Sequence, residues 1–413
     1  MNICQQDREI LRALAAKYMT YALSDDNNNN RELWRALNDM RMQKPMVTIH
    51  QIPWHEMDVD GFLTCQVKDP YFRGIERDLR ETIYKWEHMR ADMVINPYII
   101  LPRPITNTGF GIETHRLDSG SGGHAFSHLF EDQLAEMDDV QKIKNPVLAL
   151  DEAKAEEILA AAHEVFDGIA PVQWGGIMVH SGLWDSVTFW KGVESCYIDL
   201  LDRPELIHAI MERLTNAAIV QIEQINKLGA YDVNSHLCHC SHTFSDRAPG
   251  SNCDPNQATS YEGWTYSMAQ LFTSVSPAIN REFEVPYMSK LFSYFGAVYY
   301  GCCERLDDRL DVIDQMPNIR KISCSPWSDR EHFAAVLPKK YIMSNKPNPS
   351  YLAGAVFDED VIRKDFRRTI EAAKANGLGL ELLLKDISTV ENDPRRLWRW
   401  SEIAMEETMN AAL

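Results

Sequence analysis

The stretch "AVYYGCCERLDDRLDVIDQMPNIRKISCSP", Ala297 to Pro326, decides how the chain reads. A short apolar run ends in two cysteines and a glutamate. A charged amphipathic segment follows, and a second strand-like run, "IRKISC", completes the unit. Strand, helix and strand at this spacing form the repeat of a parallel sheet. The question it raises is why two thiols, a carboxylate and an arginine stand where a strand leaves a core.

The alternation extends in both directions. Upstream, "DMVINPYIILP", "VQWGGIMVH" and "YDVNSHLC" read as strands. Between the last two, "DLLDRPELIHAIMERLTNAAIVQIEQINKLGA" reads as one long helix, with Asp202 as its cap, Pro204 in its first turn and Gly229 at its stop. "SPAINREFEVPYMSKLFSYFG" is the helix before "AVYYGCC". Downstream, "KYIMSNKP" and "LELLLKDI" are strands, separated by "DEDVIRKDFRRTIEAAKANG", and "NDPRRLWRWSEIAMEETMNAA" is a closing helix. The count fits eight units. The expected fold is therefore α/β, a (β/α)8 TIM-like barrel over residues 91–413 with an N-terminal helical and irregular extension over 1–90. In that extension "SDDNNNN" (Ser24 to Asn30) reads as a loop, and Phe72, Ile75, Leu79, Ile83 and Trp86 mark a helix.

Composition narrows the function. The chain has 413 residues, 45% of them hydrophobic and 25% charged, with a net charge of −18. That balance lacks the basic footprint of a nucleic-acid binder and disfavours anionic membrane surfaces. No run reaches the length of a membrane span, and "MNICQQDREILRALAAKY" lacks the basic start and apolar core of a signal peptide. Nine scattered cysteines without a disulfide-like framework point to a reducing cytoplasm, with thiols buried or used as ligands.

In a barrel, chemistry is built where the strands end at their C-terminal side. The strand ends here carry "GLWDS", "HLCHCSH", "CCERLDDR", "CSPW", "NKPNP" and "KDISTVENDP". "HLCHCSH" (His236 to His242) is the densest run of potential ligands; on a persisting pleat His236, Cys238 and Cys240 share one face and His239 lies on the other. Imidazole and thiolate are preferred zinc donors. In "GCCE", Cys302 and Cys303 point to opposite sides unless the strand has already bent, and Glu304 adds a carboxylate. Lys385 and Asp386 end the last strand as a solvated charge pair or as a site pair. Trp174, Trp184 and Trp190 read as core or as walls of an aromatic pocket. The glycine-rich "DSGSGGHAFSH" (Asp118 to His128) lacks the Lys-Ser/Thr of a phosphate loop and reads as a lid loop.

"LLDRPELIHAIMERLTNAAIVQIEQINKLGAYDV" and "SPAINREFEVPYMSKLFSYFGAVYYGCC" resemble segments of the uroporphyrinogen decarboxylase superfamily, over roughly residues 170 to 405. The resemblance implies a TIM-like barrel and one of two activities, porphyrinogen decarboxylation or zinc-dependent methyl transfer to or from corrinoid proteins. The decarboxylase branch carries an Arg-rich RQAGR motif that this chain lacks. The branch that methylates a thiol carries His-x-Cys where this chain has Tyr300-Gly301-Cys302, so only Cys302 carries over. Asp386 stands where that branch has a later cysteine.

"IPWHEM", "YYGCCE" and "KD…NDP" look like the strings of methyltransferases that begin O-demethylation. The resemblance thus implies zinc, a corrinoid protein as partner, and a small-molecule methyl donor, with the methyl group passing from a methyl ether to cob(I)alamin. His236, Cys238, Cys302 and Cys303 are the expected metal ligands. Glu304, Asp386 and Lys385 are the expected catalytic groups, and Trp174, Trp184 and Tyr300 the expected substrate walls. The alternatives are methylcobamide-dependent transfer to a thiol or pterin, and a decarboxylase. The extension suits a lid or the arm of a homo-oligomer equally.

Overall fold

The computed structural model describes residues 3–118, 128–247 and 253–411. The proposed lid loop falls mostly at 119–127, outside the described residues. Six strands form one parallel sheet: β1 (Met46–Ile49), β2 (Trp264–Ser267), β3 (Ala297–Tyr300), β4 (Ile319–Cys324), β5 (Ile342–Asn345) and β6 (Gly379–Leu384), in the order β1-β6-β5-β4-β3-β2. All five pairings are parallel, so every C-terminal strand end lies along one edge.

The sheet is strongly curled. On a flat sheet β3 and β6, three strand spacings apart, would be separated by about 14 Å. Yet Lys385, just after β6, reaches Cys302, just after β3, at 2.9 Å. Lower in the sheet Lys321 of β4 meets Glu381 of β6 at 2.8 Å across β5, and Tyr299 Oη of β3 meets Ser344 Oγ of β5 at 2.6 Å across β4. Alternation assigns the two faces. Val298, Tyr300, Ile322, Met343, Leu380 and Leu382 pack outward into the main core under the helices. Tyr299, Lys321, Ser344 and Glu381 occupy the concave side.

The expected eight-stranded barrel is narrowed to this curled six-stranded sheet. Among the described residues no further strand joins this sheet between β1 and β2. Single parallel bridges, His180 to Tyr266 and Ile177 to Tyr231, continue the curl. A two-residue hairpin, Leu237–Cys238 with Ser241–His242, fills the concave side. Its Ser241 hydroxyl donates to Glu381 at 2.7 Å, and its Cys240 carbonyl accepts from Thr48 of β1 at 3.0 Å. In "VQWGGIMVH" Val172–Trp174 pairs with Ile99–Leu101, while Ile177 and His180 make only single bridges. Between them Gly176 lets the Asp232 backbone approach to where a Cβ would lie 2.3 Å away.

The first ninety residues supply edge strand β1 as well as helices. Gln5–Ala22, Pro70–His88 and Glu152–Phe166 enclose a second apolar cluster that includes Leu11, Phe72, Leu79 and Phe166. "SDDNNNN" is not a loop but the start of helix Asp25–Asn38, with Ser24 as N-cap. The asparagines are tolerated because the helix satisfies them. The Asn27 amide donates to the Ala22 and Ile95 carbonyls and accepts from the Ile95 N–H, and Asn30 donates to Met93. Tertiary hydrogen bonds outweigh weak helix propensity there. The long helix also divides at Arg203, into Val193–Asp202 and Pro204–Lys227, so Asp202 ends one helix and does not cap the other. Among the described residues no helix is long and apolar enough to cross a membrane.

Candidate active site

Chain geometry at the end of β3 brings the two thiols together. Gly301 takes a φ of 94°, and a Cβ there would lie 2.6 Å from Leu306 Cδ1 and 2.9 Å from Ser323 Cβ. Only glycine fits, and the bend it allows breaks the pleat. Cys302 and Cys303 therefore do not diverge; their sulfurs lie 3.5 Å apart. Cys303 Sγ donates to Asp386 Oδ2 at 3.3 Å. Cys302, Cys303 and Asp386 are the one set of three such donors that come within 4.8 Å of one another among the described residues.

Two buried carboxyl and ammonium groups prepare this cluster. Lys385 Nζ lies 2.9 Å from Cys302 Sγ and 3.3 Å from Asp386 Oδ2. Glu304 accepts from the Cys302 N–H at 2.7 Å and from the Ala269 N–H at 3.3 Å, and it is only 3% exposed. Burial raises its pKa. The Cys302 thiol is held far below its usual range by the hydrogen bond from Cys303, with His239, Lys346 and Lys385 adding to it against the opposing effect of burial. Cys303, sharing that proton, is raised.

The hairpin delivers His239 to this point. His239 and Cys240 take φ values of 43° and 70°, the two left-handed positions of a tight hairpin turn that Asn-Gly usually fills. The His239 ring stacks on Tyr266 at 5.1 Å, and its buried Nε2 has no hydrogen-bond partner. Reading a persisting pleat put His239 on the face away from the site. The turn reverses that, and the signal was the two-residue spacing between "LC" and "SH".

Other expected residues lie elsewhere. Cys238 is buried with Trp264, Tyr299 and Leu383, and burial raises its pKa well above the usual thiol range. His236 stacks on Phe244 at 4.5 Å, in a hollow at the N-terminal end of β2 lined also by Arg35, Asp232 and Trp264. Neither joins the Cys302 group. Trp184 is 1% exposed and packs edge-on against Phe272. Tyr300 is buried on the outward face, donating to Glu284 at 2.7 Å. Trp174 is half-buried in the Val172–Trp174 strand, and its carbonyl accepts from Asn234. The motif "IPWHEM" meets "KD…NDP" directly: the Glu56 carboxylate accepts from Thr389 Oγ1 at 3.0 Å and from the Val390 and Asn392 N–H groups at 2.8 and 3.0 Å.

Groups not singled out from sequence complete the edge. His180 stacks on Tyr266 at 4.6 Å, with its Nε2 3.6 Å from Asp185 Oδ2. Burial, with Glu304 and Cys302 nearby, pushes Asp185 up to about 7. Lys346 donates to Tyr299 Oη at 3.1 Å, and Ser323 Oγ beside it donates to the Cys302 carbonyl at 2.8 Å.

The donors suit zinc. Bonds of about 2.3 Å to sulfur in a tetrahedron place two ligand sulfurs about 3.7 Å apart. The observed sulfur–sulfur spacing of 3.5 Å lies near that edge length, and the Asp386 carboxylate lies within 4.8 Å of both sulfurs. The buried Nε2 of His239 makes no hydrogen bond of good geometry, and the ring is close enough to Cys302 to lower its pKa, so this nitrogen is a further candidate donor. Asp386 is 45% exposed, so the cluster is open on that side.

No family model matches the chain, and no curated protein matches it. Among solved structures, a methyltransferase from Methanosarcina mazei aligns with a TM-score of 0.46 and 14% identity, covering 90% of this chain and 97% of that one.

Proposed function

We propose that the chain is a zinc-dependent methyltransferase that takes a methyl group from a methyl ether, in the first instance a methoxyaromatic, and passes it to cob(I)alamin on a separate corrinoid protein. The reading rests on the meeting of Cys302, Cys303 and Asp386 at the open edge of the curled sheet. The superfamily resemblance of the sequence agrees with it.

Cys302, Cys303 and Asp386 would hold the zinc, which would supply Lewis acidity for an ether oxygen. The chain's own groups do the rest. The hydrogen bond from Cys303, helped by His239, Lys346 and Lys385, favours the charged Cys302 sulfur, which suits a ligand thiolate. Glu304 pins the Cys302 backbone, and Gly301 fixes the bend that presents both thiols. A donor set with a carboxylate among its sulfurs is harder than a sulfur-rich one, and hard donors suit an oxygen substrate better than a thiol. Asp386 is partly exposed, so the cluster can be reached from solvent.

The test is metal analysis of the purified protein, followed by incubation of a cob(I)alamin-loaded corrinoid protein with a panel of methoxyaromatics. The expected result is zinc near one per chain and ether demethylation that Cys302→Ala abolishes. A metal-free protein whose Cys302→Ala variant stays active would overturn the zinc reading. Loss of the methyl group of methylcobalamin to a thiol or pterin, with no ether demethylated, would overturn the direction and the substrate.

A further inference from the structure

Breaking a methyl ether requires a proton for the departing oxygen, because alkoxides and phenoxides leave poorly. Three carboxyl groups stand near the Cys302 cluster, and geometry separates their roles. Glu304 is 3% exposed and accepts from two backbone N–H groups, so it cannot reach a substrate. Asp386 belongs to the metal-binding set. Asp185 remains. Its side chain is 22% exposed, and that of His180 beside it is 34% exposed, so this pair is open where Glu304 is sealed.

The pair is built with care. Asp185 lies in the first turn of helix Leu183–Lys191. His180 bridges in parallel to Tyr266 of β2, the strand beside β3, which places it on the edge that carries Cys302. Its ring is held flat on Tyr266 at 4.6 Å and 13°. A Cβ on Gly182 would fall 2.4 Å from His180 Nε2, so the glycine leaves the space that this nitrogen fills. Both Asp185 and His180 feel the charge of Cys302. Burial raises the Asp185 carboxyl to about 7, with Glu304 and Cys302 adding to the rise.

We propose that Asp185, positioned by His180, is the acid of this site, and that it commits the site to methyl donors whose leaving group is a poorly acidic alcohol or phenol. The proposal rests on the methyltransferase reading above. In the step, the methyl carbon–oxygen bond breaks with its electron pair left on oxygen. The carbon forms its new bond with the electron pair of cobalt(I) on the corrinoid partner, and the Asp185 proton goes to the oxygen. Cobalt is oxidised by two electrons, and the product is the free alcohol or phenol. His180 is a positioning residue, its ring held on Tyr266 with Nε2 3.6 Å from Asp185 Oδ2.

The experiment compares Asp185→Asn with wild type on two donors, methoxybenzene and its 4-nitro derivative, whose phenol is acidic enough to leave without help. The expected result is a loss of about 10²- to 10⁴-fold on methoxybenzene and under tenfold on the nitro ether, with zinc content and circular dichroism unchanged. Equal losses on both donors, or none on either, would overturn the assignment. If wild type demethylates neither ether, the methyltransferase reading falls and takes this one with it; an active wild type with an equally active Asp185→Asn removes this one alone. Infrared spectroscopy gives a readout independent of turnover. A protonated-carboxyl band at pH 6 that Asp185→Asn deletes supports the acid, and its absence from wild type overturns it. His180→Gln should move the upper limb of the pH–rate profile while leaving zinc content intact; an unmoved limb would remove His180 from the assignment. Should Asp185→Asn fail to fold, Asp185→Glu, which keeps an acid, should retain more activity on methoxybenzene than Asp185→Ser.

Discussion

Lys385 Nζ lies 2.9 Å from Cys302 Sγ, although their strands, β6 and β3, are separated by two others. The contact exists because the sheet curls, and it sets a positive charge against a thiol that must be ionised to bind a metal. A partner behind a metal ligand typically carries ten- to a hundredfold in metal affinity. Lys385→Met is expected to weaken zinc binding by about tenfold or more. A competition titration against a chromophoric chelator measures this; unchanged affinity would mean that the lysine serves only the metal-free thiolate.

The turn that carries His239 stores strain. His239 and Cys240 hold left-handed conformations that cost an ordinary residue roughly 1–2 kcal/mol each, and glycine almost nothing. Cys240→Gly is expected to raise the free energy of unfolding by about 1 kcal/mol, read from the urea midpoint. Cys240→Val, β-branched at the same φ, is expected to lower it. His239→Asn suits the turn as well as histidine does but removes the unpartnered Nε2. It should preserve stability and lose activity. A destabilising Cys240→Gly would show that the thiol's packing outweighs the backbone strain.

Strand and helix were legible where local pattern and tertiary structure agree. Ala297–Tyr300, Ile319–Cys324 and Gly379–Leu384 are short runs rich in β-branched, aromatic or aliphatic residues, and each forms a strand as read. The parallel edge they share was legible too, and it led to Cys302, Cys303, Lys385 and Asp386, whose contacts lie along it. What the chain text hides is chirality and distance. Whether Cys302 and Cys303 diverge or meet depends on one positive φ at Gly301, and whether His239 faces the site depends on two more in the hairpin. Asn27 in a helix depends on a carbonyl at Ile95, far along the chain. Asp185 lies in "GLWDS", a strand end the sequence marks, but its pairing with His180 depends on the bridge from His180 to Tyr266, which no spacing reveals.

Glu284 gives the protein a pH dependence of its own. It is 1% exposed, accepts from Tyr300 Oη at 2.7 Å and bonds Asn280, and burial raises it from 4.5 to about 7, with Glu304 adding to the rise and the two hydrogen bonds and Arg309 opposing it. Because the folded value lies above the unfolded one, the stabilising proton is fully present below pH 4.5 and is lost as pH rises through about 7. That amounts to about 3 kcal/mol across the window. Urea unfolding of wild type and Glu284→Gln at pH 4.5 and pH 7.5 tests it. The variant should lose less stability than wild type on going to the higher pH. Parallel curves for the two proteins would mean that Glu284 is already charged in the fold.

Gly182 makes the sharpest local test of the His180–Asp185 pair. An added Cβ would meet His180 Nε2 at 2.4 Å and the Met268 carbonyl at 3.0 Å. The φ at Gly182 is −76°, so alanine brings no backbone strain and acts through contact alone. The ring is the softer neighbour, and it must swing off Tyr266 and away from Asp185. Gly182→Ala is therefore expected to cost about 1–3 kcal/mol of stability. The His180 ring resonances should shift in the NMR spectrum of the metal-free protein, because the ring leaves the face of Tyr266. Turnover should fall more than zinc affinity does, since the Cys302 cluster lies on the neighbouring strand and its contacts are untouched. Equal losses of turnover and zinc would mean that the whole edge has moved and that the glycine serves the sheet as a unit, not the histidine.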